Sequence, residues 1–436
     1  MLQDAANVES KRIGPADGMR GTMNRRDILQ GFSASVLTAG LAKTPLLAQA
    51  AQSSSKSVSA NDRMNIGVIG PGSRGKELIR QLLRVPGVNI AAVCDVYEPR
   101  FAEVNTLVGK TVPSYKDYRE MLERKDLDAI FIATPPVFHA ECAVASMRRG
   151  LPVYGEKTLG FTVEDCDKVL AAVRETKQVF QIGHQLRYEP WAQQTMKRIA
   201  QGDIGTPTHV YAYWHRTDNW RRAVPDPKLE HLFNWRLYKE TSGGLLEELG
   251  SHSIDMANWI FGSQPETIVG STSIVQYHDG RTVGDNVQAV LGYSGGRRMF
   301  FSAITDNAMI GDSVWVYGTE GSVELTLEDA TFYSATSKKI TEASHAAALD
   351  RGVKTGASFQ TNWEMPYRGL GDRVRVDAAA EDPTLTACRD FVQCVREKRK
   401  PLASAEVGYA SAIPCAIGKE ALENGTTMKL PPMPGA

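Results

Sequence analysis

The stretch NIGVIGPGSRG, residues 65–75, decides the fold expected for this chain. Its first five residues form a short apolar run typical of a buried parallel strand. The next six fit the pattern G-x-G-x-x-G, and apolar residues at helical spacing follow them through Leu83. In such a turn Gly70 permits the tight bend, Gly72 lets the backbone approach a pyrophosphate, and Gly75 lets helix and strand pack closely. The stretch predicts a dinucleotide site, with Ser73 and Arg74 completing its phosphate-binding turn.

An acidic residue closes the second expected strand. Residues 88–94 are again apolar, and Asp95 follows them, about twenty residues after the last glycine, where a carboxylate grips the ribose hydroxyls. A carboxylate at this place repels a 2′-phosphate, so NAD is favoured over NADP as the cofactor. Arg100 lies close enough in sequence to keep NADP open as the alternative.

Two further segments end at the same edge of the expected sheet. The apolar run at residues 128–133 leads into Thr134, Pro135 and His139, and residues 152–155 lead into Glu156 and Lys157. Open α/β folds bind ligands outside the carboxyl ends of their strands. These five residues are therefore further candidates for cofactor contact in a Rossmann domain predicted over residues 61–185.

A second group of candidate catalytic residues follows the glycines at 243 and 244. Residues 245–261 are predicted to form a helix, on which Glu248, His252 and Asp255 are spaced i, i+4, i+7 and share one face. An acid one turn from a histidine can orient the imidazole and stabilise its protonated form, as a general base requires. An exposed face with an incidental salt link is the alternative. Carboxylate and imidazole at this spacing could also chelate a metal, but no further ligands stand nearby, so no metal is expected.

Taken in order, these motifs resemble the glucose-fructose oxidoreductase/inositol dehydrogenase/rhizopine catabolism (Gfo/Idh/MocA) family of NAD(P)-dependent enzymes. The resemblance runs from about residue 65 to about residue 429, and residues 243–255 match the family pattern G-G-x-x-x-D-x-G-x-H-x-x-D. It implies that Lys157 is the cationic or proton-relay residue, His252 the base and Glu248 its acidic partner. Asp255 is then expected to support the junction or contact the substrate.

The chain departs from the family pattern at two positions. The family usually has aspartate where Glu248 stands, and the extra methylene changes the reach of the carboxylate. It usually has proline after the lysine, where this chain has Thr158. Proline restricts the preceding residue to extended conformations, so threonine is expected to relax the restriction on Lys157.

The remaining chain, residues 186–436, is predicted to be an α+β domain built on a largely antiparallel sheet. Alternating patterns and hairpin signals place strands at residues 208–215, 267–276, 287–293, 299–305, 314–317 and 322–327. Residues 329–385 are interpreted as an insertion or long loop, and helices at residues 385–396 and 405–424 close the fold. By the resemblance, such a sheet is expected to form a homo-oligomer.

Candidate substrate contacts come from the start of this domain. The segment 214–235 is rich in tryptophan, arginine and histidine, and flat rings suit the apolar faces of sugars while Arg and His suit their hydroxyls. Arg187, Tyr188, Trp220 and Arg221 are the candidates, together with Asp255 from the helix. The alternative is that the tryptophans pack the domain.

The first sixty residues are expected to be an export signal and linker rather than part of the folded domains. Arg25-Arg26 stands shortly after Met23, the expected initiator in place of Met1, and a modest apolar stretch then ends in the cleavage pattern Ala48-Gln49-Ala50. The paired arginines indicate export by the twin-arginine translocon. The apolar stretch is short and interrupted by Lys43, which disfavours a stable membrane anchor.

Charge and cysteine content narrow the function classes. Fifty Lys and Arg residues balance fifty Asp and Glu residues, so no net field attracts nucleic acid. The six cysteines form no Cys-x-x-Cys pair, which argues against a disulfide framework or a zinc site and predicts small buried residues.

The leading function is an exported NAD-dependent oxidoreductase acting on a sugar, glycoside or cyclitol hydroxyl. A redox-neutral glycosidase or lyase using transient NAD oxidation, and a non-catalytic sugar or NAD sensor, are the alternatives.

Overall fold

A parallel sheet of six strands forms the first half of the computed structural model, which describes residues 63–326, 329–334, 373–376 and 381–435. Its strands lie in the order β3-β2-β1-β4-β5-β6, and each neighbouring pair is parallel. The strand order reverses between β1 and β4, so a ligand crevice opens there at the carboxyl ends. The predicted Rossmann domain is confirmed. The strands are β1 (Met64–Ile69), β2 (Val88–Cys94), β3 (Ser114–Tyr115), β4 (Ala129–Ile132), β5 (Val153–Gly155) and β6 (Phe180–Ile182).

Helices connect these strands, as parallel pairing requires. The first helix begins directly after the glycine turn and buries Leu78, Ile79 and Leu82 completely. The fourth ends before Gly150, whose φ of 81° is the left-handed conformation expected of a glycine at this place. The helices are α1 (Ser73–Leu82), α2 (Pro99–Val108), α3 (Tyr118–Leu122), α4 (His139–Arg148) and α5 (Val163–Thr176).

A second sheet of nine strands dominates the rest of the described chain, in the order β14-β13-β12-β11-β7-β10-β9-β8-β15. Only β7 and β10 pair in parallel among its described strands, so the prediction of a largely antiparallel sheet is confirmed. Its strands are β7 (Pro207–His215), β8 (Thr267–Ser273), β9 (Asn286–Gly292), β10 (Arg298–Ile304), β11 (Asp312–Gly318), β12 (Gly321–Leu325), β13 (Ala330–Ser334), β14 (Arg373–Val376) and β15 (Met428–Lys429).

The two faces of this sheet differ, because side chains alternate along each strand. Val210, Ala212 and Phe301 on one face are 0% exposed, and helices α6 (Pro190–Ala200) and α8 (Ser251–Phe261) pack on that side. The opposite face carries an aromatic cluster in which the rings of Tyr211 and Phe300 lie 5.8 Å apart. A short helix, α7 (Glu230–Phe233), lies in the long connection between β7 and α8.

The segment predicted as a long loop, residues 329–385, contains two strands of the sheet. β13 and β14 pair antiparallel, with Phe332 opposite Val374, so they extend the sheet at its edge. Residues 335–372 and 377–380 lie outside the described residues. The prediction was wrong at the ends of the segment because two strands of four or five residues give too few alternating positions to recognise.

The C-terminal helices return to the first sheet. They are α9 (Pro383–Glu397) and α10 (Ala405–Asn424), close to their predicted bounds. The side-chain amide of Gln181 in β6 donates to the Ala387 carbonyl at 2.9 Å, and the backbone N–H of Ile182 donates to the Ala403 carbonyl at 2.9 Å. The last part of the chain therefore packs against the Rossmann sheet as well as the second sheet.

The predicted export signal, residues 1–60, lies outside the described residues. Within the part that the structure describes, every helix is too short or too polar to span a bilayer. All six cysteines are buried, as the sequence predicted.

Candidate active site

A cavity of about 570 Å³ lies at the carboxyl ends of the parallel strands and extends to the start of α8. The glycine turn and Asp95 line one end, and Lys157, Glu248 and His252 line the other. The cavity therefore joins the two groups of residues that the sequence identified separately.

The glycine turn leaves room that a side chain would fill. A Cβ atom on Gly75 would lie 2.3 Å from the carbonyl oxygen of Gly70, whereas one on Gly72 would meet nothing closer than the Arg100 guanidinium at 3.9 Å. Gly75 is thus required by packing, while Gly72 leaves an open surface at the start of α1. The unpaired N–H groups of a first helical turn, with the helix dipole, favour an anion at such a place.

Asp95 stands at the end of β2 as predicted. Its carboxylate accepts hydrogen bonds from the Tyr97 backbone N–H and the Arg100 guanidinium, both at 2.8 Å. Both Asp95 and Arg100 line the cavity. The arginine holds the carboxylate in place beside the glycine turn, where a ribose would lie.

Several buried polar atoms of the cavity wall have no hydrogen-bond partner among the described residues. They include Thr134 Oγ1, Gln185 Oε1 and Arg74 Nη2. A buried polar group without a partner costs about 1–3 kcal/mol, so these atoms are suited to a bound ligand with hydroxyl, amide and phosphate groups. Together with the open surface at Gly72, they show that the residues present fit a dinucleotide. Pro135 also lines this wall.

Arg74 and Glu156 hold each other in the same wall. The Arg74 Nε donates to the Glu156 carboxylate at 2.8 Å, and its Nη1 donates to the Thr384 hydroxyl of α9 at 3.3 Å. Both residues line the cavity as predicted. This ion pair ties the glycine turn to the segment that carries Lys157.

His139 is not part of the cavity lining, in contrast to the prediction. Its ring is 3% exposed and contacts the Thr134 carbonyl at 2.8 Å and the Thr158 carbonyl at 2.6 Å. Burial lowers the pKa of His139. The side chain lies behind the cavity wall, where it connects the segment after β4 to the segment after β5.

Lys157 meets Glu248 and Arg236 at the far end of the cavity. The Lys157 amine donates to the Glu248 backbone carbonyl at 2.8 Å and lies 3.6 Å from its carboxylate. The Arg236 Nε donates to the same carboxylate at 2.8 Å. Glu248 therefore carries two cationic partners and holds the lysine amine in the cavity.

The predicted contact between Glu248 and His252 is not formed. Residues Leu246–Gly250 make a π-helical turn before α8, and this wider turn rotates Glu248 relative to the α-helical spacing that the prediction assumed. The carboxylate faces Lys157 and Arg236, and His252 Nδ1 has no hydrogen-bond partner in the described part of the chain. Lys157, Glu248 and His252 nevertheless line the same end of the cavity.

The charges at this end set the protonation states. Burial raises the pKa of the Glu248 carboxyl, but Lys157 and Arg236 outweigh it, and the net pKa is lowered. Burial, followed by the charge of Lys157, holds the pKa of His252 well below its usual range. At neutral pH the site therefore holds an ionised carboxylate and a neutral imidazole able to accept a proton. The described residues contain no cluster of three or more His, Cys, Asp or Glu suited to a metal ion.

Thr158, the residue after Lys157, is held firmly by tertiary contacts. It is 1% exposed, and its hydroxyl donates to the Glu247 carboxylate at 3.1 Å. The Lys157–Thr158 peptide bond is cis. Tertiary contacts thus constrain the residue after Lys157 without a proline.

The predicted substrate contacts lie elsewhere. The Arg187 guanidinium forms a buried bidentate ion pair with the Asp255 carboxylate, at distances of 2.8–3.0 Å, so both groups are engaged internally. Tyr188 is 3% exposed and accepts a hydrogen bond from the Ala403 N–H at 3.3 Å. None of the three lines the cavity within the described structure.

The same correction applies to the two candidates in the following connection. Arg221 donates to the Asp279 carboxylate at 2.9 Å and also pairs with Glu230. Trp220 packs against the hydrophobic core. The part of the chain that the structure describes places neither in the cavity wall, because local ion pairs and core packing take up both side chains.

The cavity wall instead takes other members of that connection. Arg222, Leu232, Phe233, Trp235 and Arg236 line it, as does Gln185. The sequence identified the segment by its aromatic and basic residues but not which of them point inward. The helices in this segment are only three or four residues long, which is too short a periodicity from which to infer direction.

This connection also reaches the glycine turn. The Arg222 guanidinium donates to the Ser73 hydroxyl at 3.0 Å, and the Phe233 ring packs edge-on against Tyr97 at 5.1 Å. We call residues 216–236 the covering loop. It leaves the second sheet after β7, reaches Ser73 of the glycine turn through Arg222 and ends at Arg236, which contacts Glu248 at the other end of the cavity.

Comparison with known proteins agrees with both halves of the structure. The family model "Oxidoreductase family, NAD-binding Rossmann fold" matches residues 64–184, and "GFO/IDH/MocA C-terminal domain" matches residues 192–324. The rhizopine catabolism protein MocA of Rhizobium meliloti is 29% identical over 60% of this chain and 78% of its own length. The myo-inositol 2-dehydrogenase of Thermotoga maritima is 23% identical over 84% of this chain and 98% of its own length.

Solved structures share the fold over most of the chain. A levoglucosan dehydrogenase in complex with NADH and L-sorbose superposes with a TM-score of 0.68 at 20% identity, covering 85% of this chain and 100% of that chain. The aldose-aldose oxidoreductase of Caulobacter crescentus, complexed with glycerol, gives a TM-score of 0.65 at 18% identity over 84% of this chain and 100% of that chain.

The covering loop predicts a measurable effect on cofactor retention. Replacing Arg222 by alanine removes its hydrogen bond to Ser73 and a cation from the cavity, and a net loss of about 1 kcal/mol corresponds to roughly fivefold weaker NAD binding. The measurement is the NAD content of purified protein after extended dialysis, with Lys228→Ala, an exposed change in the same loop, as the control. Equal retention by the two variants would show that the loop does not hold the cofactor.

Proposed function

This chain belongs to the GFO/IDH/MocA family of NAD-binding oxidoreductases, and from that premise we propose that it is an exported enzyme that oxidises a hydroxyl-bearing carbon of a sugar, glycoside or cyclitol with a tightly bound cofactor. The observation that carries the proposal is the meeting of Lys157, Glu248 and His252 at the end of the cavity that begins at the glycine turn. Names of relatives, such as inositol dehydrogenases and a levoglucosan dehydrogenase, support carbohydrate hydroxyls as the substrate class.

Each residue has a distinct task in this proposal. Bound NAD supplies the hydride acceptor. Lys157, fixed through Glu248, provides the cation that stabilises negative charge as the substrate hydroxyl loses its proton. His252 is neutral at neutral pH because burial and Lys157 lower its pKa, so its imidazole is free to accept that proton. Glu248 orients the amine rather than the imidazole.

The cavity wall favours a carbohydrate over an apolar substrate. The aromatic side chains of Phe233 and Trp235 lie beside Arg222 and Arg236, a mixture of flat rings and guanidinium donors that suits a ring carrying several hydroxyls.

A redox-neutral glycosidase or lyase remains the second candidate, and the covering loop favours it specifically. The contacts of Arg222 with Ser73 and of Phe233 with Tyr97 would slow cofactor exchange. An exported enzyme meets little free NAD, so a retained cofactor has to be restored within each catalytic cycle. Transient oxidation acidifies the neighbouring C–H and permits elimination of a glycosidic substituent before the hydride returns. Hydride exchange between two carbohydrate substrates would restore the cofactor equally.

One experiment separates these reactions. The NAD-loaded protein is incubated with a panel of sugars, glycosides and cyclitols, and products are identified by mass. Loss of two hydrogens from the substrate indicates net oxidation, and release of the glycosidic substituent indicates cleavage. The Lys157→Ala variant is expected to lose about 10²- to 10⁴-fold in turnover while retaining NAD, and Lys168→Ala, at an exposed lysine of α5, should behave as the parent. Turnover by Lys157→Ala at the parent rate would remove Lys157 from the mechanism.

Export rests on the sequence pattern around Arg25 and Arg26. Replacing both arginines by lysine keeps the charge but removes the feature that the twin-arginine route requires, so the full-length protein is expected to accumulate in the cytoplasm. Cell fractionation with antibody detection measures this, and the single Lys43→Ala change serves as the control. Export of the double variant at the parent level would refute the proposed route.

We propose a homo-oligomer that buries the aromatic face of the nine-stranded sheet. Tyr211 is 37% and Val290 39% exposed on that face, and exposed apolar patches of this kind mark interaction surfaces. Replacing Tyr211 by glutamate is expected to give monomers in sedimentation measurements, whereas Leu402→Glu, at an exposed apolar residue next to the parallel sheet, should leave the assembly intact. A monomeric parent protein would contradict the proposal.

A further inference from the structure

A second, smaller cavity of about 30 Å³ lies beside His252. It is enclosed by residues of α6, β7, β11, β12 and α8, and His252 lines both this cavity and the main one. We call it the rear chamber; the polar residues in its lining include Trp191, Trp214, His252 and Asp312. A space of this size accommodates about one ordered water.

Five buried polar atoms of residues that line the chamber have no hydrogen-bond partner among the described residues. They are Trp191 Nε1, Trp214 Nε1, His252 Nδ1, Asp312 Oδ1 and Ser313 Oγ. The two indole nitrogens can only donate, the carboxylate oxygen can only accept, and the imidazole nitrogen can do either. With the proton on Nδ1, one water in the chamber can accept from the imidazole and the Trp214 indole and donate to the Asp312 carboxylate, which is within the two donors and two acceptors that a water serves.

The sheet places the side chains of Trp214 and Asp312 on the same face. Trp214 and Asp312 are directly opposite each other in the antiparallel pair of β7 and β11, so their side chains share a face. The Trp214 ring lies 5.8 Å from the His252 ring. Asp312 uses its other oxygen to accept from Arg216 at 2.9 Å.

The way out of the chamber runs through this ion pair. The Asp312 side chain is 16% exposed and that of Arg216 is 38% exposed, whereas His252 is 8% exposed overall. Asp312 thus lines the same chamber as the buried imidazole and is itself partly exposed to solvent.

We propose that the rear chamber holds a water through which His252 passes a proton to Asp312 and then to solvent while substrate and cofactor fill the main cavity. The inference rests on the proposed role of His252 as the base. His252 accepts the substrate hydroxyl proton on Nε2 and releases its Nδ1 proton to the water. The water gives a proton to Asp312 Oδ1, and the carboxyl group releases it to bulk water. The electrons of the oxidised C–H bond leave as hydride to NAD, so the proton is the only species that the relay carries.

At the end of this step the imidazole is neutral with its proton on Nε2. Exchange with solvent through the main cavity after the product leaves restores the starting tautomer. The relay would keep His252 from holding a positive charge. Such a charge is unfavourable because the ring is buried and lies near Lys157, His184, Arg74 and Arg216, which lower its pKa. Glu248 lies on the same helical segment as His252, but its carboxylate faces Lys157 and Arg236.

The relay is tested by replacing Asp312 with asparagine, which keeps the shape and removes the proton acceptor. The substrate that turns over fastest in the carbohydrate panel is used with NAD-loaded protein. We expect kcat to fall by about 100-fold, the lower end of what a positioned proton acceptor contributes, with KM and NAD content unchanged. Small carboxylate or imidazole buffers should restore part of the lost rate, because they can carry the proton instead. Asp306→Asn, at an exposed carboxylate after β10, is the matched control.

A second variant guards against a disturbed fold. Trp214→Phe keeps the ring and removes one donor to the water, so it should lower kcat in the same direction by a smaller factor, with the same response to buffer. An unchanged kcat in Asp312→Asn, a loss that buffers do not restore, or a raised KM at constant kcat would each overturn the relay. His252→Ala separates the two proposals: if it abolishes turnover while Asp312→Asn does not, the base assignment stands and the relay fails. Full activity of His252→Ala would overturn the proposed function itself.

Discussion

The contact between the Lys157 amine and Glu248 is the constraint on which the rest of the active site depends. Lys157 follows the fifth parallel strand and Glu248 lies in the turn before α8, so the contact joins an element of each half of the molecule. The neighbouring bond from Thr158 to Glu247 repeats the connection one residue along both segments. Because one of these bonds is buried and the other is partly buried, the relative position of the cofactor crevice and the proposed base is set by hydrogen bonds as well as by apolar packing.

The parts of the structure that follow from local pattern were predictable from the sequence. The strand, glycine turn and helix at residues 64–82 formed as expected, because apolar runs, turn glycines and helical spacing all indicate the same structure there. The helix at Ala405–Asn424 was likewise predicted at its observed bounds. Residues tied to strand ends, such as Asp95, Thr134 and Glu156, line the cavity because the carboxyl edge of a parallel sheet is a fixed place.

Predictions failed where direction depends on tertiary partners. The expected pairing of Glu248 with His252 assumed a regular α-helix, and the π-helical turn at Leu246–Gly250 changes the direction of the carboxylate. Arg187 and Asp255 were each assigned to the substrate, yet they satisfy one another in a buried ion pair, a pairing between positions 68 residues apart that no local pattern encodes. His139 was placed against the cofactor but faces two backbone carbonyls behind the wall.

The glutamate at position 248 and the covering loop are parts of one arrangement. Its carboxylate reaches both Lys157 and Arg236, and the methylene that distinguishes it from aspartate extends that reach towards the loop. The same loop bonds Ser73 of the glycine turn through Arg222. One segment is therefore attached at the cofactor end by one arginine and at the catalytic end by another. If the covering loop moved as a unit, it would take Arg222 from Ser73 and Arg236 from Glu248 together, and loss of that cation would raise the pKa of the Glu248 carboxyl. The two contacts therefore link the glycine turn to Glu248 through a single loop.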